Sequence, residues 1–182
     1  VSEAVQEIRI DLRRKAIDEE NKQILECRKQ KLKHNPYRYF NGDTKKQLLA
    51  RGRYILFKPE SKWTDSQKQR SAILFQEFSE LKKAYDLSMY FRNIFENSKS
   101  KEEANLKFEQ WYLKIDESKL TTLISASQTI KNNIGKILNY FIARQTNASA
   151  ESFNAKIKQF RSLVRGVRDI KFFLFRVEKL YA

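Results

Sequence analysis

Thr64-Asp65-Ser66-Gln67-Lys68-Gln69-Arg70-Ser71-Ala72-Ile73-Leu74-Phe75-Gln76-Glu77-Phe78 has the form of a helix start followed by an apolar face. Thr64 and Gln67 stand three apart, the spacing at which two side chains cap each other's backbone N–H groups. Ile73, Leu74 and Phe78 then recur at helical spacing. The pattern repeats outward. Leu81 to about Glu96 carries Tyr85, Met89, Phe91 and Phe95, and Ser100-Lys101-Glu102-Glu103 is a second capping box ahead of Leu106, Phe108, Trp111 and Leu113. After Asp116-Glu117-Ser118 a long helix is predicted from about Leu120 to Ala143.

Toward the N-terminus, Val1, Ala4, Val5, Ile8 and Leu12 already lie at helical spacing, and Ile17, Ile24 and Leu25 continue the stripe. One helix is predicted from about Ser2 to Leu32, stopped by His34-Asn35-Pro36 because proline excludes the α region for the preceding residue. Asn41-Gly42-Asp43 is a turn, and Asp43 or Thr44 caps a short helix bearing Leu48, Leu49, Tyr54 and Leu56. Toward the C-terminus, Ser149 is placed to cap a helix that Gly166 ends, and Asp169 caps a last one through Tyr181. No strand and no internal repeat emerges. The chain reads as all-α, with about seven or eight helices.

Composition agrees with that reading. In 182 residues there are only 4 glycines and 2 prolines, and 32% of residues are charged, which favours long helices over a sandwich or barrel. The single cysteine, Cys27, excludes an internal disulfide. The densest apolar run, Phe172-Phe173-Leu174-Phe175, is far shorter than the ~18 residues of a membrane span. The chain starts mid-pattern and without methionine, as a fragment of something longer is expected to.

The net charge of +15 is unevenly placed. Residues 1–62 hold 16 bases and 9 acids, residues 63–130 hold 10 of each, and residues 131–182 hold 11 bases and 3 acids. Two basic ends around a neutral middle fit a polyanion, with nucleic acid as the natural partner; a lysine-rich solvated surface is the alternative. One histidine and one cysteine, His34 and Cys27, do not assemble a zinc site, and four scattered glycines do not form a phosphate loop. Trp63 and Trp111 fall in the neutral middle and read as core.

The C-terminal stretch carries the remaining chemistry. Glu151 opens a helix, and eight cations follow it against two acids, Asp169 and Glu178. Asn154 and Lys158 share its face, while Phe153, Ile157 and Phe160 form a stripe expected to be buried. Arg161, Arg165 and Arg168 extend the basic surface. Glu151 can serve as a metal ligand beside phosphate or as a first-turn acid that complements the helix dipole, worth about 0.3–1 kcal/mol.

Tyr140-Phe141 followed by Thr146-Asn147, then Glu151-x-x-Asn154-x-x-Ile157-Lys158 and Arg165-Gly166-x-Arg168, resembles the C-terminal signature of DDE transposases of bacterial insertion sequences. The narrower likeness is to the group with a helical insertion between the second aspartate and the glutamate. Ser2-Glu3-Ala4-Val5-Gln6-Glu7-Ile8-Arg9 resembles the helix after the second aspartate, Leu56-Phe57-Lys58-Pro59 through Trp63-Thr64 the start of the insertion, and Ala84-Tyr85-Asp86-Leu87 through Trp111 its body.

The resemblance implies a ribonuclease H-like catalytic domain whose sheet is missing here. It divides the chain into a basic helix (1–40), a helical insertion (41–143) and Glu-bearing helices (144–182). In the full-length parent, two aspartates and a glutamate hold two Mg²⁺ ions ~3.5–4 Å apart for transposon-end cleavage and strand transfer. Glu151 is then the catalytic glutamate and metal ligand, and Asn154, Lys156, Lys158, Arg161, Arg165 and Arg168 contact DNA, at transposon ends and target. A cytoplasmic, nucleoid-associated bacterial protein is implied. Neither Asp11 nor Asp18 fits the second aspartate, so the fragment alone is expected to be inactive, and the apolar residues between Phe172 and Leu180 are expected to self-associate. The rival reading is a non-catalytic, basic, helical nucleic-acid-binding or scaffold protein. A third is an interaction module built from the neutral middle.

Overall fold

The computed structural model describes the backbone of residues 1–143, 148–163 and 169–181; the side chains of residues 143, 148–151 and 181 fall outside the description. Every regular element among the described residues is helical. In chain order these are α1 (Ser2–Lys29), α2 (Lys45–Leu56), a 3-10 turn (Glu60–Lys62), α3 (Asp65–Glu77), α4 (Ser79–Asn97), α5 (Lys101–Ser118), α6 (Thr121–Asn132), α7 (Ile134–Leu138), α8 (Tyr140–Ala143), α9 (Ala148–Leu163) and α10 (Ile170–Tyr181). They fall into two compact units, Val1–Ile142 and Ala143–Ala182. No helix among the described residues is long and apolar enough to cross a membrane.

In the first unit, α1 lies mainly along α2 and also touches α4 and α6, while α4 packs on α5. The core is aliphatic at one end, with Val5, Leu48, Leu49, Ile55 and Leu74, and aromatic at the other, with Phe108 and Trp111. The aromatic end interlocks: Phe91 lies 5.0 Å from Trp111, and Phe95 lies 5.4 Å from Phe141 between ring centroids. Each tryptophan buries its ring and satisfies its donor. Nε1 of Trp111 donates to the Leu87 carbonyl at 2.8 Å and that of Trp63 to Ile55 at 3.1 Å, so both are core residues. A buried polar bridge joins α1 to α2. Arg9 donates to Gln6 Oε1 at 2.7 Å and to the Leu49 carbonyl at 3.0 Å. Burial, with Arg13 and Arg53 nearby, pulls the Arg9 guanidinium below its ordinary pKa.

The helix starts follow the capping chemistry. Thr64 Oγ1 accepts from the Gln67 N–H at 3.3 Å, and Gln67 Oε1 accepts from the Thr64 N–H at 3.2 Å. Ser100 accepts from Glu103 N–H, but the Glu103 carboxylate takes the N–H of Lys99 at 2.8 Å, one residue short of a capping box. Thr44, not Asp43, precedes α2.

Three expectations need correction. The predicted helix over Leu120–Ala143 is broken at Asn133 and Asn139. Asn133 sits at φ −113°, ψ 11°, and its side chain donates back to the Thr129 carbonyl at 2.9 Å, competing with the backbone ladder. Leu138 and Phe141 still reach the core, so the apolar period survives the breaks and hides them. The first helix ends at Lys29 rather than Leu32. Leu32 N–H bonds to the Cys27 carbonyl and Lys31 N–H to Arg28, with Lys31 at φ 56°, a Schellman stop built on lysine instead of glycine. Its apolar stripe is buried only as far as Ala16, and Leu25 is exposed.

Candidate nucleic-acid and metal-facing site

The second unit is a pair of helices. In α10 the backbone N–H groups of Lys171 and Phe172 both bond to Asp169 Oδ1, at 2.8 and 3.2 Å, so Asp169 is the cap the sequence predicts. Phe160 of α9 is buried and lies 5.6 Å from Phe173. The rest of the expected stripe is not buried: Ile157 is half-buried and Phe153 is exposed. In α10, Ile170, Phe172, Leu174, Phe175 and Leu180 are all at least half exposed, against the two-sided burial that their apolarity predicts.

Helix α9 begins at Ala148, ahead of the expected cap at Ser149, which makes Glu151 its fourth residue. At ~100° per residue, Asn154, Lys158 and Arg161 fall within about 80° of the direction of Glu151, over ~15 Å of axis. All three are exposed. Lys156 is exposed too, but it stands about 140° away beside the apolar stripe. By helical register alone, Asn154, Lys158 and Arg161 share the side of α9 on which position 151 falls, and Lys156 does not. Arg165, Arg168, Thr146, Asn147 and Gly166 lie outside the described residues.

Four of the aspartates are engaged elsewhere. Asp43 is fully buried between Arg51 and Arg70, with Arg70 Nε 2.8 Å from Oδ2. Asp11 pairs with Arg14 at 3.2 Å and Asp86 with Lys82 at 2.6 Å. Asp169 caps α10. Among the described residues no three His, Cys, Asp or Glu side chains converge where they could hold a metal ion.

The first unit carries a second basic surface. Arg28 and Lys29 at the end of α1 and Lys31, Lys33 and Arg38 on the segment that follows are exposed, as are Tyr37 and Phe40 on the same segment. The segment has no motif; its signal in the sequence is five bases without an acid over residues 28–42, interleaved with aromatic residues.

The family model for DDE transposases of the ISL3 type, described as transposase, matches residues 1–177. The chain belongs to this transposase family. No curated protein and no solved structure matches it. The match spans both units, so the helices of the first unit and the glutamate-bearing pair are parts of one transposase pattern. Transposases of this family act on DNA and use divalent metal ions.

Proposed function

We propose that the chain is the C-terminal helical part of a transposase catalytic region, in which Glu151 supplies the glutamate of the DDE triad and the basic face of α9 holds DNA. The observation that carries the reading is the solvent-exposed arc of Asn154, Lys158 and Arg161 behind Glu151 on one uninterrupted helix, within a chain matched to the transposase family over residues 1–177. Lys158 and Arg161 are cations able to meet phosphate oxygens, and Asn154 adds an uncharged donor and acceptor.

In this reading residues 1–40 lead away from the second aspartate, 41–143 form the helical insertion, and 144–182 return with the glutamate. The two aspartates come from chain outside residues 1–182: Asp11, Asp43, Asp86 and Asp169 are engaged in ion pairs or a helix cap, and no three carboxylates among the described residues converge on a metal position. Two Mg²⁺ ions held by the completed triad supply Lewis-acid activation of water or a 3′-hydroxyl and stabilise the leaving oxygen. Residues 1–182 contribute the third carboxylate and the phosphate grip, and no more of that centre. A ribonuclease H-like sheet packed on α10 accounts for the exposed Phe172, Leu174, Phe175 and Leu180; without it, these residues pair with those of a second copy.

DNA binding tests the reading. A contact made through phosphates weakens with salt, log K falling by about 0.9 per phosphate for each unit of log salt concentration. The Lys158→Gln, Arg161→Gln double variant is expected to lower the slope on duplex DNA by about 2. A flat salt response of the unaltered chain, or an unchanged slope in the variant, overturns the reading.

A further inference from the structure

The segment joining α1 to α2 is built to present aromatic rings to solvent. Tyr37 is 76% and Phe40 82% exposed. Leaving either outside water-excluding contact forgoes about 1.5–3 kcal/mol of burial, and a collapsed loop would recover part of it. The loop is prevented from collapsing. Gly42 N–H bonds to the Tyr39 carbonyl at 2.8 Å, which puts Phe40 at the first corner of a tight turn, and Gly42 itself sits at φ 79°. Tyr39 N–H bonds to the Asp43 carbonyl at 3.0 Å and Arg38 to the Gly42 carbonyl at 2.8 Å. Asp43 roots the turn, since its buried carboxylate accepts from Arg51, Arg70 and Asn41.

Along residues 28–42 the charge has one sign. Arg28, Lys29, Lys31, Lys33 and Arg38 surround the rings in sequence with no acid between residues 28 and 42. The nearest acid along α1, Glu26, lies 3.9 Å from Lys29; further back, Glu19 is paired with Lys45 at 2.8 Å and Glu20 with Lys46 at 2.9 Å. Glu77 accepts from the Tyr39 hydroxyl at 3.0 Å. Exposed rings held on a hydrogen-bonded turn within an excess of cations match one ligand chemistry well: a polynucleotide whose bases are unpaired, so that their faces are open for stacking while the phosphates meet the cations. Paired bases expose no free face to a ring standing on a turn.

We propose that the Arg28–Gly42 segment is a single-strand DNA contact, with Tyr37 and Phe40 stacking on unpaired bases and Arg28, Lys31 and Lys33 holding the flanking phosphates. The proposal rests on the transposase reading for the identity of the polymer, but it uses residues in a different unit from α9. Strand separation beside a cleaved or joined end supplies such a ligand.

The test is a titration of the chain with fluorescein-labelled oligothymidylate of ~12 nucleotides, within the ~4–16 nucleotides of known single-strand sites, and with a duplex of equal length. Stacking is worth about 1–3 kcal/mol per base, roughly five- to 150-fold in affinity. Tyr37→Ser with Phe40→Ser is expected to weaken oligothymidylate binding at least about tenfold while duplex binding stays within about twofold. Circular dichroism should superimpose on that of the unaltered chain, as both rings are exposed. A bromouracil-substituted oligomer should photocrosslink to the peptide containing residues 37–40.

Equal affinity of variant and parent for oligothymidylate overturns the proposal, as does equal loss on both ligands or failure of the unaltered chain to bind the single strand. So does a variant that only converts a dimer to a monomer, which would make the surface a contact between copies. The α9 reading is judged separately, by the duplex salt slope of the Lys158→Gln, Arg161→Gln variant. Either result can fail while the other stands.

Discussion

Replacing Asp43 with asparagine removes one negative charge from the interior while preserving side-chain shape. Asp43 is 0% exposed; one oxygen accepts from Arg51, and the other accepts from Arg70 Nε at 2.8 Å and Asn41 Nδ2 at 3.0 Å. Asparagine must turn an NH₂ toward one of these donors. Breaking a buried ion pair costs about 3–5 kcal/mol because the stranded charge stays desolvated. Here the two arginines differ. The Arg51 side chain is 55% exposed and can turn to water, whereas that of Arg70 is only 18% exposed. The cost of Asp43→Asn is therefore placed at the low end, about 3 kcal/mol. Arg70→Ala should cost less, about 2 kcal/mol, and Arg51→Ala about 1 kcal/mol or less. Urea unfolding followed by tryptophan emission suits the test, since both tryptophans, Trp63 and Trp111, lie in the first unit and report on it alone. With a urea slope of ~1–3 kcal/mol per molar, the midpoint should fall by about 1–3 M. A shift below about 0.3 M, or a larger loss from Arg51→Ala than from Asp43→Asn, refutes the assignment of Asp43 as the root of this turn.

Two further perturbations bear on the same unit. Trp111→Ala removes a fully buried ring and its hydrogen bond to the Leu87 carbonyl, so a loss of about 3–5 kcal/mol is expected in the same unfolding assay, read by circular dichroism; under 1 kcal/mol would contradict its place in the core. Burial raises the Tyr85 hydroxyl to about 12, with Glu60 and Asp86 adding to the effect, and burial and Glu77 do the same for Tyr39. A folded pKa above the unfolded value of ~10 means that stability is fully present below pH ~10 and is lost as pH rises through about 12. Unfolding midpoints should fall between pH 10 and 12, and fall less in a Tyr39→Phe, Tyr85→Phe variant; an identical fall in both removes the tyrosines as the cause.

The helices were legible where local chemistry decides them. Thr64 with Gln67, and Asp169 ahead of α10, cap in the structure as their spacing predicts, because a cap involves only residues within one turn. The breaks at Asn133 and Asn139 were not legible: the apolar positions on either side keep the helical period, and the signal of a back-bonding asparagine is weak. From sequence Asp43 is a turn or cap residue and nothing more, since its arginine partners stand 8 and 27 residues away and no local rule joins them. In the second unit, Phe153 and the apolar residues of α10 read as core. Their exposure shows that apolarity specifies a need for burial without naming the partner.

Glu151→Gln in the complete transposase, with its two aspartates present, tests the central claim most directly. Glutamine keeps the size of the side chain and the helix, and removes the charge that holds a divalent ion. Metal-dependent cleavage at the transposon end should fall at least about a hundredfold, since losing several kcal/mol of transition-state stabilisation costs a factor of ten per ~1.4 kcal/mol, while binding of the end DNA stays within about twofold. Cleavage at the parental rate in the glutamine variant would contradict the assignment of Glu151 as the third carboxylate.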